Sequence, residues 1–207
     1  MHPLILILGP TAGSKTTFSI ELANTLEGGG ECIIADSMQV YRSMNIGTAK
    51  PTAEEQTKAV HHLIDIAEPS EDGFTVDVWL QKATSAISDI RERGRWPIIV
   101  GGTNLYVQSL LYGLFDGPKS NPKRRSQLRK ESNTFLHETL QALDPASAER
   151  IHINDTKRLI RAIEVCELTG KKLSDLQTQW EASNPRQDAI LIGLSWSVDE
   201  INMRINA

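Results

Sequence analysis

Five consecutive aliphatic residues, Leu4-Ile5-Leu6-Ile7-Leu8, run directly into Gly9-Pro10-Thr11-Ala12-Gly13-Ser14-Lys15-Thr16, after which Phe18, Leu22 and Leu26 recur at helical spacing. An unbroken apolar run is what a strand buried on both faces of a parallel sheet requires, and parallel strands need helical crossovers. The N-terminus therefore commits the chain to an α/β layer fold of the P-loop NTPase-like type. A glycine-rich turn between such a strand and helix gathers backbone amides at the positive end of the helix dipole, where they bind phosphate. Lys15 adds a mobile charge, and Thr16 brings a hydroxyl suited to Mg²⁺. Ser14 stands where this motif normally has glycine, with Gly13 one place earlier. By motif alone the ligand would be ATP.

The strand-helix alternation continues. Cys32 to Ala35 reads as a second strand. Val76, Trp79, Leu80, Ala83, Ile87 and Ile90 line one face of a helix that stops at Gly94, and Pro97 to Val100 forms a third strand. Strand C-termini face the ligand crevice in an open parallel sheet, so Asp36-Ser37 and Gly101-Gly102-Thr103 are expected beside the phosphate loop. Asp36 could serve there as metal ligand, general base or cap, and spacing alone does not choose. From Asn121 the pattern turns helical without strands, over Pro122 to Glu131, Thr134 to Leu143, Ala146 to Ile151, Asp155 to Thr169 and Lys172 to Trp180. Ala189 to Leu194 then reads as a returning strand and Val198 to Ala207 as a further helix. The expected organisation is a catalytic core over 1–118, an all-helical insertion over 119–185, and a return to the core over 186–207.

Charge divides along similar lines. Residues 1–118 hold 8 Lys/Arg against 14 Asp/Glu, residues 119–172 hold 12 against 7, and residues 173–207 hold 2 against 5, so a basic segment sits in a chain of net charge −4. Such a segment is either a solvated helical surface or a polyanion-binding arm. With 40% hydrophobic and 23% charged residues the composition excludes a disordered or fibrous chain. No apolar run approaches a membrane span and no secretory leader is recognisable, so a cytoplasmic protein with no membrane partner is expected. Cys32 and Cys166 are expected as buried, reduced thiols. Adjacent His61 and His62 are a poor metal pair. Trp79, Trp96, Trp180 and Trp196 are expected to pack, and Tyr106 either packs or reaches the crevice.

Taken together these segments resemble the tRNA dimethylallyltransferases. The resemblance is carried by Gly9-Pro10-Thr11-Ala12 with Lys15-Thr16, Asp36-Ser37-Met38-Gln39-Val40-Tyr41-Arg42, Asn45-Ile46-Gly47-Thr48-Ala49-Lys50-Pro51 and His61-His62-Leu63-Ile64-Asp65-Ile66. It continues through Ile98-Ile99-Val100-Gly101-Gly102-Thr103, Leu105-Tyr106 and Asp155-Thr156-Lys157-Arg158-Leu159-Ile160-Arg161-Ala162. The Asp-Ser-x-Gln-Val-Tyr and Gly-Thr-Ala-Lys-Pro segments are its most specific parts.

The resemblance implies transfer of a dimethylallyl group from dimethylallyl diphosphate to N6 of the adenosine beside the anticodon of tRNA. It implies a loop, Gly9 through Thr16, that holds the diphosphate instead of ATP, with Mg²⁺ near Thr16. Asp36, Thr11 and Lys15 become the catalytic set: Asp36 as base toward the adenine amine, Thr11 toward the oxygen bridging prenyl carbon and phosphate, Lys15 toward the leaving pyrophosphate. Asp36, Ser37, Met38, Gln39, Thr103, Arg125, Lys157, Arg158, Leu159, Ile160 and Arg161 fall where the family touches tRNA, with the anticodon stem-loop as partner and a monomer as the acting form. The alternatives are an adenylate isopentenyltransferase, a P-loop nucleotide kinase, and an inactive, truncated tRNA-binding relative.

Overall fold

A computed structural model describes residues 1–69, 74–114, 117–177 and 185–206. The chain separates into two compact units, Met1–Tyr112 with Asn184–Ala207, and Gly113–Ser183. The first boundary follows Tyr112, the last residue of a helix over Asn104–Tyr112 that the sequence reading did not include.

In the first unit the order is β1 (Leu4–Leu8), α1 (Lys15–Thr25), β2 (Gly30–Ala35), α2 (Ala53–Lys58), β3 (His61–His62), α3 (Val76–Glu92), β4 (Trp96–Gly101), α4 (Asn104–Tyr112), β5 (Ala189–Gly193) and α10 (Val198–Ile205). All five strands are parallel, in the order β3-β2-β4-β1-β5. This is the α/β, P-loop NTPase-like sheet that the N-terminal pattern demands. Alternation of side chains across the strands splits its core into two faces. Leu4, Leu6, Ile33, Ala35 and Ile99 pack on one side with Trp79 and Ile87 of α3 and Leu110 of α4. Ile5, Ile7, Cys32, Ile98 and Val100 pack on the other with Ala23, Phe18 and Leu22 of α1. Each fully buried Leu or Ile stabilises the layers by about 2 kcal/mol.

Sequence signals for helix ends act as local chemistry requires. Thr75 caps α3 by accepting from Val78 N, and Gly94, at φ 70°, follows its end. Strand β3 was not anticipated: two histidines lack an apolar pattern, and only the β2 edge makes them a strand, pairing Cys32 with His61 and Ile33 with His62. Tyr106 packs. It is buried and stacked on Trp79, with ring centroids 4.5 Å apart, and burial pushes its phenol up to about 12. Cys32 and Cys166 are buried free thiols, and burial raises Cys32 to about 11.

The second unit holds α5 (Pro122–Leu128), α6 (Asn133–Leu143), α7 (Pro145–Arg150), α8 (Thr156–Thr169) and α9 (Leu173–Leu176) around Leu128, Leu136, Leu140, Leu159 and Ile163. Asp155 caps α8 through Arg158 N, and Gly170 closes it in the left-handed region at φ 66°. The expected last helix ran to Trp180, which lies outside the described residues; α9 itself is a single turn. No helix among the described residues is long and apolar enough to cross a membrane.

Candidate active site

The C-terminal ends of β1, β2 and β4 open onto a cleft of about 300 Å³ lined by Thr11 to Thr17, Asp36, Gln39, Thr48, Ala49, Gly101 and Arg204, among others. That volume is at the lower end of the range for small-ligand pockets. The phosphate loop forms its floor. Gly13 N donates to the Pro10 carbonyl at 3.1 Å, and Ala12 and Ser14 both sit in the left-handed region, at φ 59° and 62°. Ser14 is the residue before α1 yet makes no side-chain cap. The first-turn amides of α1 thus keep their hydrogens for an anion, at the positive end of the helix dipole.

Lys15 Nζ donates to the Gly9 and Pro10 carbonyls at 3.0 and 2.7 Å, which holds the ammonium over the loop. Burial lowers its pKa, and the charge of Asp36 works against that lowering. Asp36 Oδ1 accepts from Met38 N at 2.8 Å and Gln39 N at 3.2 Å. One carboxylate oxygen therefore caps the turn after β2, while Oδ2 makes no hydrogen bond with the described residues. Of the roles the sequence left open for Asp36, the cap is the one these bonds make, and they use a single carboxylate oxygen. Thr103 Oγ1 accepts from Ser37 N at 3.0 Å and fixes the same turn.

Gly101 allows β4 to end here. A Cβ at that position would lie 2.2 Å from the Ala35 carbonyl oxygen, so a side chain there would force β2 and β4 apart beside Asp36. Around the rim, Gln39 Nε2 donates to the Thr48 and Ala49 carbonyls at 2.9 and 3.1 Å. Lys50, its side chain 4% exposed, donates to the Tyr41 carbonyl, Asn45 Oδ1 and Asp65 Oδ1 at 2.7, 3.1 and 2.6 Å. Arg42 Nε donates to the Asp65 carbonyl at 2.9 Å. These bonds knit together the three segments 36–42, 45–51 and 61–66, and their shared role is to hold the rim of one cleft.

His61 and His62 are occupied elsewhere. His61 Nδ1 lies 2.8 Å from the Ala59 carbonyl, and His62 Nε2 lies 2.6 Å from Glu31 Oε2. No group of three or more His, Cys, Asp or Glu among the described residues could hold a metal ion.

The sequence reading missed two residues that hold the phosphate loop, of which Arg204 also lines the cleft. Trp196, expected to pack, instead donates from Nε1 to the Gly13 carbonyl at 3.2 Å. Arg204 donates from Nε to the Ala12 carbonyl at 2.7 Å and from Nη2 to Ser14 Oγ, with its guanidinium 4.4 Å from the Trp196 ring centroid. Nothing local in the sequence ties either to the loop; the tie depends on β5 pairing with β1.

In the helical unit the basic residues fall into two classes. Arg125 and Arg161 converge on fully buried Glu164: Arg125 Nε and Nη2 donate at 3.0 and 2.8 Å, and Arg161 Nη1 at 2.7 Å. Burial drives the Glu164 carboxyl upward, and hydrogen bonds from Arg125, Asn121 N and Arg161 more than reverse it, leaving its pKa lowered. Lys157 is exposed, and Arg158 has a side chain 76% exposed with a single ion pair to Asp155 at 3.3 Å. Leu159 and Ile160 are core residues, so their side chains offer no surface to a ligand. In the first unit the cleft thus sets a phosphate-loop motif and the Lys15 ammonium beside the Asp36 carboxylate.

A family model described as IPP transferase matches residues 39–207. Among curated proteins, the tRNA dimethylallyltransferase of Shouchella clausii is 48% identical over 210 residues, covering 99% of this chain and 66% of the relative. That of Caldanaerobacter subterraneus subsp. tengcongensis is 42% identical, covering 98% and 67%. A solved tRNA delta(2)-isopentenylpyrophosphate transferase from Staphylococcus epidermidis is 40% identical with a TM-score of 0.61, over all of this chain and 67% of that one. A eukaryotic dimethylallyltransferase acting on tRNA is 30% identical with a TM-score of 0.81, over all of this chain and 52% of that one. The chain spans about two thirds of the length of the curated relatives it matches.

Proposed function

The chain belongs to the IPP transferase family, and on that premise we propose that it transfers a dimethylallyl group from dimethylallyl diphosphate to N6 of the adenosine beside the anticodon of tRNA. The observation that carries this is the pairing, in one cleft, of an uncapped phosphate loop with Asp36, whose Oδ2 makes no hydrogen bond with the described residues. In the reaction N6 attacks the allylic carbon, the carbon–oxygen bond to the diphosphate breaks, and the N6 proton passes to Asp36. An exocyclic adenine amine is a weak nucleophile, so a positioned carboxylate base is needed. Lys15 and the α1 amides neutralise charge as it builds on the leaving diphosphate, and the Thr11 hydroxyl donates to the bridging oxygen. Target adenine in a stacked anticodon loop has to be extruded to enter such a cleft.

The donor set suits Mg²⁺, which takes a few hydroxyl or carboxylate oxygens together with phosphate oxygens. Thr16 would hold it, with Asp36 the one carboxylate among the described residues of the lining, and the ion would supply positive charge to the diphosphate when bound. The helical unit takes the tRNA role: Lys157 and Arg158 meet backbone phosphates, Arg125 and Arg161 do so from their anchored positions, and Ser37, Met38, Gln39 and Thr103 in the other unit face the extruded base. The enzyme acts in the cytoplasm, where its tRNA is found.

Single-turnover transfer from labelled dimethylallyl diphosphate, with Mg²⁺, to unmodified tRNA or to AMP tests the reading. Label in tRNA is the expected result. Label in AMP alone, or phosphoryl transfer from ATP with no prenyl transfer, refutes it.

A further inference from the structure

The residue that departs from the phosphate-loop pattern is the same residue that Arg204 grips. Ser14 adopts φ 62°, ψ 22°, a conformation that disfavours any side chain, and a glycine would adopt it freely. What the serine adds is a hydroxyl, and the Arg204 guanidinium donates to it. Arg204 is exposed, yet three contacts fix it: the Ala12 carbonyl, Ser14 Oγ and the face of Trp196, which itself donates to the Gly13 carbonyl. No carboxylate pairs with Arg204 among the described residues. Both Nη1 hydrogens and one on Nη2 remain uncommitted, on a side chain that lines the anion cleft.

A cation immobilised beside a phosphate loop, with no counter-charge of its own and with donors to spare, is built for an anion. We infer that Ser14 and Arg204 form a coupled diphosphate-binding pair, in which the Ser14 hydroxyl positions the guanidinium and Arg204 donates to the diphosphate oxygens. The inference rests on the loop being a diphosphate site. It makes Ser14 a partner in binding and not a lost glycine. Held over the Trp196 ring and bonded to the loop, the guanidinium pays little further conformational entropy when the anion arrives.

The test is calorimetric binding of inorganic pyrophosphate with Mg²⁺ to the full chain and to Arg204→Gln, Arg204→Lys, Ser14→Gly and the Ser14→Gly/Arg204→Gln double variant. Arg204 is exposed on α10 and glycine adopts the Ser14 backbone conformation freely, so these variants are expected to fold, and thermal melting checks that they do. Arg204→Gln is expected to raise Kd about 10- to 100-fold, the range for a charge-assisted hydrogen bond, and to lower its salt dependence. Arg204→Lys recovers only part, because an ammonium lacks the planar fork. Ser14→Gly is expected to weaken binding several-fold where Arg204 is present and to have no effect where it is Gln. An unchanged Kd in Arg204→Gln overturns the inference, as does tighter binding in Ser14→Gly regardless of residue 204. Failure of the unaltered chain to bind pyrophosphate removes the diphosphate reading itself, a result distinct from binding that ignores Arg204.

Discussion

Glu31 near the start of β2 lends itself to a quantitative test. It is 3% exposed, and its carboxylate receives His62 Nε2 at 2.6 Å, Arg93 Nη2 and Nε at 2.7 and 3.3 Å, and Arg95 Nη1 at 3.1 Å. Burial alone pushes the carboxyl upward; the hydrogen bonds of Arg93, His62 and Arg95 and the charge of Arg93 outweigh it and bring the group from 4.5 to about 2. At about 1.4 kcal/mol per unit, the ionised form stabilises the native state by roughly 3 kcal/mol at neutral pH. Because the folded value lies below the unfolded one, that stability is complete above about pH 4.5 and drains away as pH falls toward 2.

Glu31→Gln keeps the shape and removes the charge. Arg93 and Arg95 reach solvent, so neither is stranded, and the expected cost at pH 7 is about 2 to 3 kcal/mol, below the range for isolating a buried ion. Urea unfolding followed by tryptophan fluorescence measures the gap between the two proteins. It is expected to shrink by about 2 kcal/mol between pH 7 and pH 3. A gap of constant size over that range refutes the electrostatic account and assigns the loss to packing.

Gly101→Ala is expected to destabilise the first unit by about 1 to 3 kcal/mol, because the added Cβ meets the Ala35 backbone and no rotamer relieves it; an unchanged thermal midpoint would show that β2 and β4 part there without cost. Asp36→Ala is expected to slow single-turnover transfer about 10²- to 10⁴-fold while pyrophosphate affinity stays within a few-fold. Loss of pyrophosphate binding in that variant would make Asp36 an organiser of the metal. Replacing Lys157 and Arg158 together by Ala is expected to weaken tRNA binding and to reduce the slope of log K against log salt by about 1 to 2. An identical slope would take both residues out of the phosphate contacts.

The parts of this protein written locally were the parts the sequence revealed. The run Leu4–Leu8 reads as an interior parallel strand and the turn after it as a phosphate-loop motif, and Asp155 and Gly170 mark the ends of α8 through bonds to residues three or four positions away. Asp36 followed from the rule that strand C-termini face the crevice. Other features depend on pairings made across long stretches of chain. His61–His62 is a strand only because β2 offers an unpaired edge, Gly101 is needed only because Ala35 lies against it, and Arg125 is anchored because α5 sets its start on buried Glu164. Trp196 and Arg204 reach the phosphate loop because β5 adds to β1 and aims α10 at its floor. Periodicity and motif spacing encode what a segment does with its neighbours in sequence. Which side chain meets the loop from the far end of the chain is decided by sheet order and register, and these exist only once the layers have packed.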